Sequence, residues 1–285
     1  MIRSRNVALV AGLGALAVVA CHKVPYTGRV QYNLVPDSIM RGVGQSSYQS
    51  TLSDSKVEKT GEDHDILVKV GNKISKVANQ PDYEWKYSLI QDDATINAWC
   101  MPGGYIAFYT GILPVLQHEA GMAFVMGHEV GHATAHHGAE RLSQQLTLIG
   151  GLAGLELYMA SSTKIDAKAQ AAILAALGVG AELGVILPFS RTHESEADVI
   201  GLMYMAQAGY PPKESIPLWD RMSVASPGSI PVFLSTHPSN DARQANLKEW
   251  MPQATKKFER SKLPYDTTKV EWAGLGSGNK AGQHP

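Results

Sequence analysis

The stretch His128-Glu129-Val130-Gly131-His132 decides how this chain is read. It follows the apolar run Met122-Ala123-Phe124-Val125-Met126, and the spacing predicts one helix through both. Residues four apart on a helix share a face, about one turn apart, so both imidazoles can reach a single metal ion. Glu129 is offset from them and suits contact with a metal-bound water instead of the metal. Gly131 costs helix propensity, which points to close approach of a neighbouring helix. A catalytic zinc site takes three protein ligands and leaves a position for water. A third histidine in the same run would require glycine at 135 and histidine at 138. The chain has Ala135 and Gly138, so that route is closed. A downstream glutamate is the other route, and spacing alone does not choose among Glu140, Glu156, Glu182, Glu194 and Glu196.

Composition excludes several classes. The 285 residues carry 25 Lys+Arg against 26 Asp+Glu, a net charge of -1, so there is no basic surplus for nucleic acid. A hydrophobic share of 44% is that of a globular chain, too high for disorder and too low for a polytopic membrane protein. Two cysteines cannot build a disulfide framework. At the N-terminus, Arg3 and Arg5 precede an apolar stretch at 7–19, which suits an export signal and is too short to span a bilayer. That stretch ends in Val18-Val19-Ala20-Cys21, which resembles a bacterial lipobox with Val18 where leucine is usual. Cys21 is then the acylated first residue of the mature chain, and His22 after it resembles lipoproteins sorted to the outer membrane. Cys100 is expected to be a buried small residue.

Residues 22–60 are polar, with scattered Pro and Gly, and read as a tether draped over the body. Ile66, Val70, Ile74 and Val77 recur at helical spacing within 62–78. Residues 85–90 alternate like a strand, and 97–108 read as two short strands around Pro102-Gly103-Gly104. A helix-rich stretch is expected over 112–149. Residues 150–187 are Gly/Ala-rich, and a buried helical hairpin is expected there, since a membrane span needs about 20 apolar residues. Another helix is predicted from about 192 to 208, stopped by Gly209 and Pro211-Pro212, and a last one from near 238 to before 252. The tail at 275–285 is polar and glycine-rich, and is expected to be disordered.

The chain resembles the zinc metallopeptidases of the HtpX and BepA type, gluzincins that include the CAAX prenyl proteases. In that family the third ligand lies in an E-x-x-A-D motif, here Glu194-Ser195-Glu196-Ala197-Asp198, which begins 62 residues after His132. Asn97-Ala98 with Pro102-Gly103-Gly104 matches the family's edge strand before the zinc helix. His237-Pro238 with Arg243 matches its His-Pro...Arg segment, and Pro25-Tyr26-Thr27-Gly28-Arg29 resembles the start of related periplasmic lipoproteins. The resemblance covers about residues 24–250. It implies an α+β, mostly helical zincin-type metallopeptidase domain with a small β-sheet whose edge strand borders the active site. The expected partition is a signal peptide at 1–20, a lipidated tether at 21–60, the peptidase domain at 61–252 and a partly disordered extension at 253–285.

The resemblance also assigns roles. His128, His132 and Glu194 hold one Zn²⁺, Glu129 is the general base, and Glu196 stays outside the ligand shell. Asp198, one turn on from Glu194, accepts a proton from a ligand histidine and fixes its tautomer. His237 either stabilises the tetrahedral intermediate or covers the zinc, and Arg243 orients a carboxylate or a substrate oxygen. Asn97 and Ala98 offer an exposed edge to an extended peptide. His136 and His137 are expected to be polar residues at a helix end. The implied function is a metalloendopeptidase of the bacterial envelope that cuts extended or misfolded polypeptides, held to the membrane through Cys21. A chaperone or assembly lipoprotein with a His-capped, latent site is the alternative.

Overall fold

Two helices that cross at glycines build the centre of the molecule. The computed structural model describes residues 21–149, 189–225, 231–238 and 241–265. Within it, α4 (Glu119–Thr134) is buried at every position from Ala120 to Thr134, as expected of a helix surrounded by protein. It crosses α6 (Arg191–Gln207), and a Cβ at Gly127 would stand 2.9 Å from the Gly201 carbonyl oxygen. A Cβ at Gly201 would stand 2.7 Å from the His128 nitrogen. Gly131 lies on the same contact, its Cβ position 3.2 Å from the Ala197 oxygen, as its place in the motif suggested. The absent side chains bring the two motif-bearing helices into backbone contact.

Helix α6 starts at a Ser190 side chain that accepts from the His193 N–H, and it ends in a left-handed Gly209 at φ 85°. The Tyr210 N–H donates to the Met205 carbonyl and the Gly209 N–H to that of Ala206, a Schellman closure that satisfies two terminal carbonyls.

A four-stranded sheet lies beside this pair in the order β3 (Val57–Glu58), β4 (Lys86–Ile90), β6 (Tyr105–Tyr109), β5 (Ala98–Met101). β4 and β6 are parallel, and the other pairs are antiparallel. The β5–β6 turn uses Gly103 and Gly104 at φ 98° and 88°, as the Pro-Gly-Gly sequence predicted. Ala98 and Cys100 face a core that includes Leu67, Val70 and Ile74 of α2 (Glu62–Ala78) and Phe124 of α4. Trp99 and Met101 face Tyr48 of α1 (Asp37–Ser53). Both faces are covered, so β5 is apolar throughout instead of alternating.

Two expectations change. Residues 22–60 are folded: β1 (Cys21–Lys23) pairs with β2 (Val30–Tyr32), α1 follows, and β3 joins the main sheet. The boundary at 60/61 therefore falls inside one folded unit. The helix-rich stretch expected over 112–149 is present, as a 3₁₀ turn, α3 (Leu113–Leu116), α4 and α5 (His137–Ile149). Gln117 and His136 at φ 60° and 53° make the breaks. The last helix, α9 (Asp241–Ser261), runs through Pro252 instead of stopping before it. Proline removes one N–H bond to the carbonyl four residues back, and here both Pro252 and Lys248 lie on an exposed face of the helix.

The signal segment at 1–20, the hairpin expected at 150–187 and the tail at 275–285 lie outside the described residues. Among the described residues, no helix is long and apolar enough to cross a membrane.

Candidate metal centre

The last turns of α4 and the first turn of α6 bring three of the expected residues together. His128 Nε2 lies 3.1 Å from His132 Nε2 and 3.6 Å from Glu194 Oε2. Glu194 Oε1 is 3.5 Å from His132 Nε2. His237, just after α8 (Val232–Thr236), supplies a fourth atom. Its Nδ1 is 3.2 Å from His128 Nε2 and 3.1 Å from Glu194 Oε1.

Four ligand atoms placed tetrahedrally about 2.05 Å from one zinc stand about 3.3 Å apart. The observed spacings bracket that value, and one nitrogen from each of three histidines with a carboxylate is a donor set zinc favours. All four residues are buried. Of the five candidate glutamates, Glu140 and Glu196 point to the other side of α4, towards Arg29, while Glu156 and Glu182 lie outside the described residues.

His128 is held from behind. His128 Nδ1 is 3.0 Å from Asp198 Oδ1, the contact expected of the E-x-x-A-D motif. Arg243 grips that carboxylate with two bonds of 2.7 Å and places Nη1 2.8 Å from Glu194 Oε2. The same guanidinium donates to the Pro238 carbonyl at 3.0 Å and lies over the Trp219 ring at 4.2 Å. It thus ties a ligand, a ligand's partner and the His237 segment together. Burial works against the Glu194 carboxylate, but His237 and Arg243 outweigh it and hold its pKa below the ordinary value. Burial also draws His132 well below its ordinary value, which keeps the imidazole neutral with a lone pair to offer. The same burial lifts the Glu129 carboxyl. Glu129 Oε1 is buried with no hydrogen bond among the described residues and lies 3.3 Å from His237 Nε2.

Asn97 and Ala98 lie at the sheet edge, at and just before the start of β5, but both are buried, at 8% and 1% exposure. The exposed edge expected from the sequence is not what this conformation presents. Phe233 of α8 donates its N–H to the Ile96 carbonyl at 3.1 Å, and the Phe189 N–H donates to the Thr236 carbonyl. The segment that carries His237 is thereby fastened beside the expected peptide groove. Phe189, which the sequence did not single out, lies over the His132 ring at 4.1 Å.

Cys21 begins β1, opposite Tyr32. Cys100 is a buried free thiol, as expected, and burial raises its pKa well above the usual value.

His136 is a left-handed turn residue 3.3 Å from Asp37, in keeping with a helix-end role. His137 differs from expectation. It starts α5 with no exposure, and its Nδ1 is 3.0 Å from His132 Nδ1. Burial brings it down to about 4, so it is neutral. Helical spacing gave no signal for this contact, because only the break at His136 turns position 137 back onto His132.

The model of peptidase family M48 matches residues 63–251. The chain is 32% identical over 265 residues to the "Mitochondrial metalloendopeptidase OMA1" of Schizosaccharomyces pombe, covering 91% of this chain and 75% of that protein. Its Saccharomyces cerevisiae counterpart is 31% identical over 258 residues, with 84% and 71% covered. The "Beta-barrel assembly-enhancing protease" of Escherichia coli is 27% identical over 213 residues, with 72% of this chain and 42% of that protein covered. Relatives thus come from mitochondria as well as bacteria, a wider spread than the lipoproteins the motifs resemble. Helices that carry both zinc motifs, and whose His and Glu side chains converge within 4.8 Å, fall within the matched region, and the chain belongs to peptidase family M48, as a zinc metalloendopeptidase.

Proposed function

We propose that His128, His132 and Glu194 hold the zinc, that Glu129 is the general base, and that His237 is a cap which must withdraw before substrate is cut. The observation that carries this reading is the convergence of His128 Nε2, His132 Nε2, Glu194 and His237 Nδ1 within 4.8 Å. A zinc held by these residues would polarise a carbonyl and lower the pKa of a water towards about 7. Glu129, whose buried Oε1 makes no hydrogen bond among the described residues, would accept a proton from that water and pass it to the leaving amine. Asp198 keeps the His128 proton on Nδ1, so that Nε2 presents its lone pair to the metal. Arg243 holds Asp198 and Glu194 in register.

His237 Nδ1 is close enough to His128 and Glu194 that it would compete with water for a bound zinc, and its segment is bonded to Ile96 beside the edge strand. Substrate would lie extended along Asn97-Ala98 once residues 231–238 move away. A free strand is offered by unfolded or loop regions and seldom by a folded domain, so the substrate class is extended or misfolded polypeptide.

Sequence 1–21 supports export and acylation at Cys21, with the enzyme on the periplasmic face of a bacterial membrane. The E. coli relative's name couples a protease to β-barrel assembly, which agrees with quality control of exported proteins.

The position of His237 also favours a second reading, a chaperone or assembly lipoprotein whose protease site stays shut. Digestion of unfolded casein by the wild type and by His237→Ala separates the two. A regulated protease is expected to cut slowly as wild type and several-fold faster once the cap is removed. Cleavage by neither protein would favour the binding role and overturn the protease reading.

A further inference from the structure

Behind His132, on the side of α4 away from Asp198, a second polar network reaches the ligand from the N-terminal hairpin. Arg29, in the loop before β2, inserts its guanidinium between two carboxylates. It donates from Nε and Nη2 to Glu196 at 2.7 and 2.9 Å, and from Nη1 and Nη2 to Glu140 at 2.7 and 2.6 Å. Thr27 Oγ1 adds a bond of 3.3 Å to Glu196. On the inner side, Glu196 Oε2 is 3.1 Å from His137 Nε2, and Glu140 Oε2 is 3.0 Å from His193 Nε2. The His137 and His193 rings stack with centroids 4.5 Å apart. Gln31 of β2 donates to the Ala135 carbonyl at 2.5 Å, fixing the turn that aims His137.

The protons along this chain have one consistent arrangement. An ionised Glu196 only accepts, so His137 must carry its proton on Nε2. Its Nδ1 is then a bare acceptor 3.0 Å from His132 Nδ1, and that atom must be the donor. The proton of His132 is thus kept on Nδ1, and Nε2 is left with the lone pair a metal needs. The opposite tautomer of His137 would turn an N–H towards His132 and favour the proton on Nε2, where it would block coordination.

We propose that Arg29, Glu196 and His137 form a positioning relay that fixes the tautomer and ring orientation of His132, making the N-terminal hairpin a working part of the zinc site. It mirrors Arg243 and Asp198 behind His128, with one more imidazole in the path. The inference rests on the reading of His132 as a zinc ligand. It also gives a purpose to Pro25–Arg29 and to Glu196, the second glutamate of the E-x-x-A-D stretch.

The test is the zinc affinity of the apoprotein, by competition against a chromophoric chelator, for wild type, His137→Phe, His137→Gln and His128→Ala. A glutamine can accept from His132 with its oxygen and donate to Glu196 with its nitrogen, whereas phenylalanine only fills the space. His137→Phe is expected to bind zinc about 10–100-fold more weakly, the usual cost of losing a ligand's partner. His137→Gln is expected to recover most of that loss. On a peptide substrate at saturating zinc, His137→Phe is expected to lower kcat and leave KM unchanged, since the relay touches a ligand and not the substrate.

Equal zinc affinity in His137→Phe and wild type would overturn the relay, as would equal losses in the Phe and Gln variants. His128→Ala losing zinc while His137→Phe keeps it would leave the site reading standing and remove only the relay. A wild type that binds no zinc would remove both. Should His137→Phe not fold, Arg29→Met interrupts the same relay from its partly exposed end. Weaker zinc binding there supports the relay, and unchanged binding overturns it.

Discussion

Glu129→Gln is expected to abolish peptide hydrolysis while zinc stays bound. The glutamate sits between His128 and His132 in sequence, yet the ligand-type atoms that converge belong to His128, His132, Glu194 and His237. Its Oε1 is buried, has no hydrogen bond among the described residues and faces His237 Nε2 at 3.3 Å. An acceptor kept free at the edge of a metal centre can take up a proton, and burial lifts its pKa in the direction a base working near neutrality requires. Glutamine has nearly the same shape and cannot accept that proton as a base. The expected loss in cleavage of unfolded casein is about 10²–10⁴-fold, the range for a positioned acid–base group. Zinc content by elemental analysis should match the wild type. Full proteolysis by the variant would remove Glu129 from the role. Loss of zinc would show that the carboxylate is a ligand after all.

Arg243→Met is expected to have the largest effect on stability. Arg243 is 2% exposed and neutralises Asp198 and Glu194, which are 0% and 1% exposed. Removing it strands two carboxylates in the interior, and breaking a buried pair in this way costs about 3–5 kcal/mol. Urea denaturation of the apoprotein should show a loss of that size. Saturating zinc should recover part of it, because the metal neutralises Glu194 and binds only the folded state. Arg243→Lys keeps a cation without the two-pronged grip on Asp198, so an intermediate loss is expected. Unchanged stability in Arg243→Met would mean that solvent reaches these carboxylates and that the arginine does not organise the site.

What the sequence revealed depended on how local its signals were. α2 occupies Glu62–Ala78, the span its spacing indicated, because Val70 and Ile74 repeat on one face. His128 and His132 are one turn apart by construction. Glu194 could not be separated from four other glutamates by spacing, and it needed the E-x-x-A-D resemblance. Among the described residues, α6 puts residue 194 towards His128 and residue 196 towards Arg29.

The N-terminal region resembles a tether in sequence because its buried face is only partly apolar. Between Met40 and Tyr48, α1 buries Val43, Gly44 and Ser47, with Gly44 closely packed against the Pro102 carbonyl. Such a face looks like polar tether sequence until its partner is present. Arg29 and His137 were illegible for a related reason. Their contacts span 111 and 167 residues for Arg29, and a left-handed His136 redirects the chain at His137. The closed edge at Asn97-Ala98 depends on residues 231–238 folding back, which no local pattern encodes.

His128, His132 and Glu194 are expected to hold one catalytic zinc together. Zinc content of the purified full chain, measured beside His128→Ala, His132→Ala and Glu194→Ala under one dialysis, tests it most directly. The expected result is about one zinc per chain in the wild type and a large deficit in each variant, with the variants still folding cooperatively. A wild type without zinc, or any of the three variants retaining its full share, would contradict the site as described.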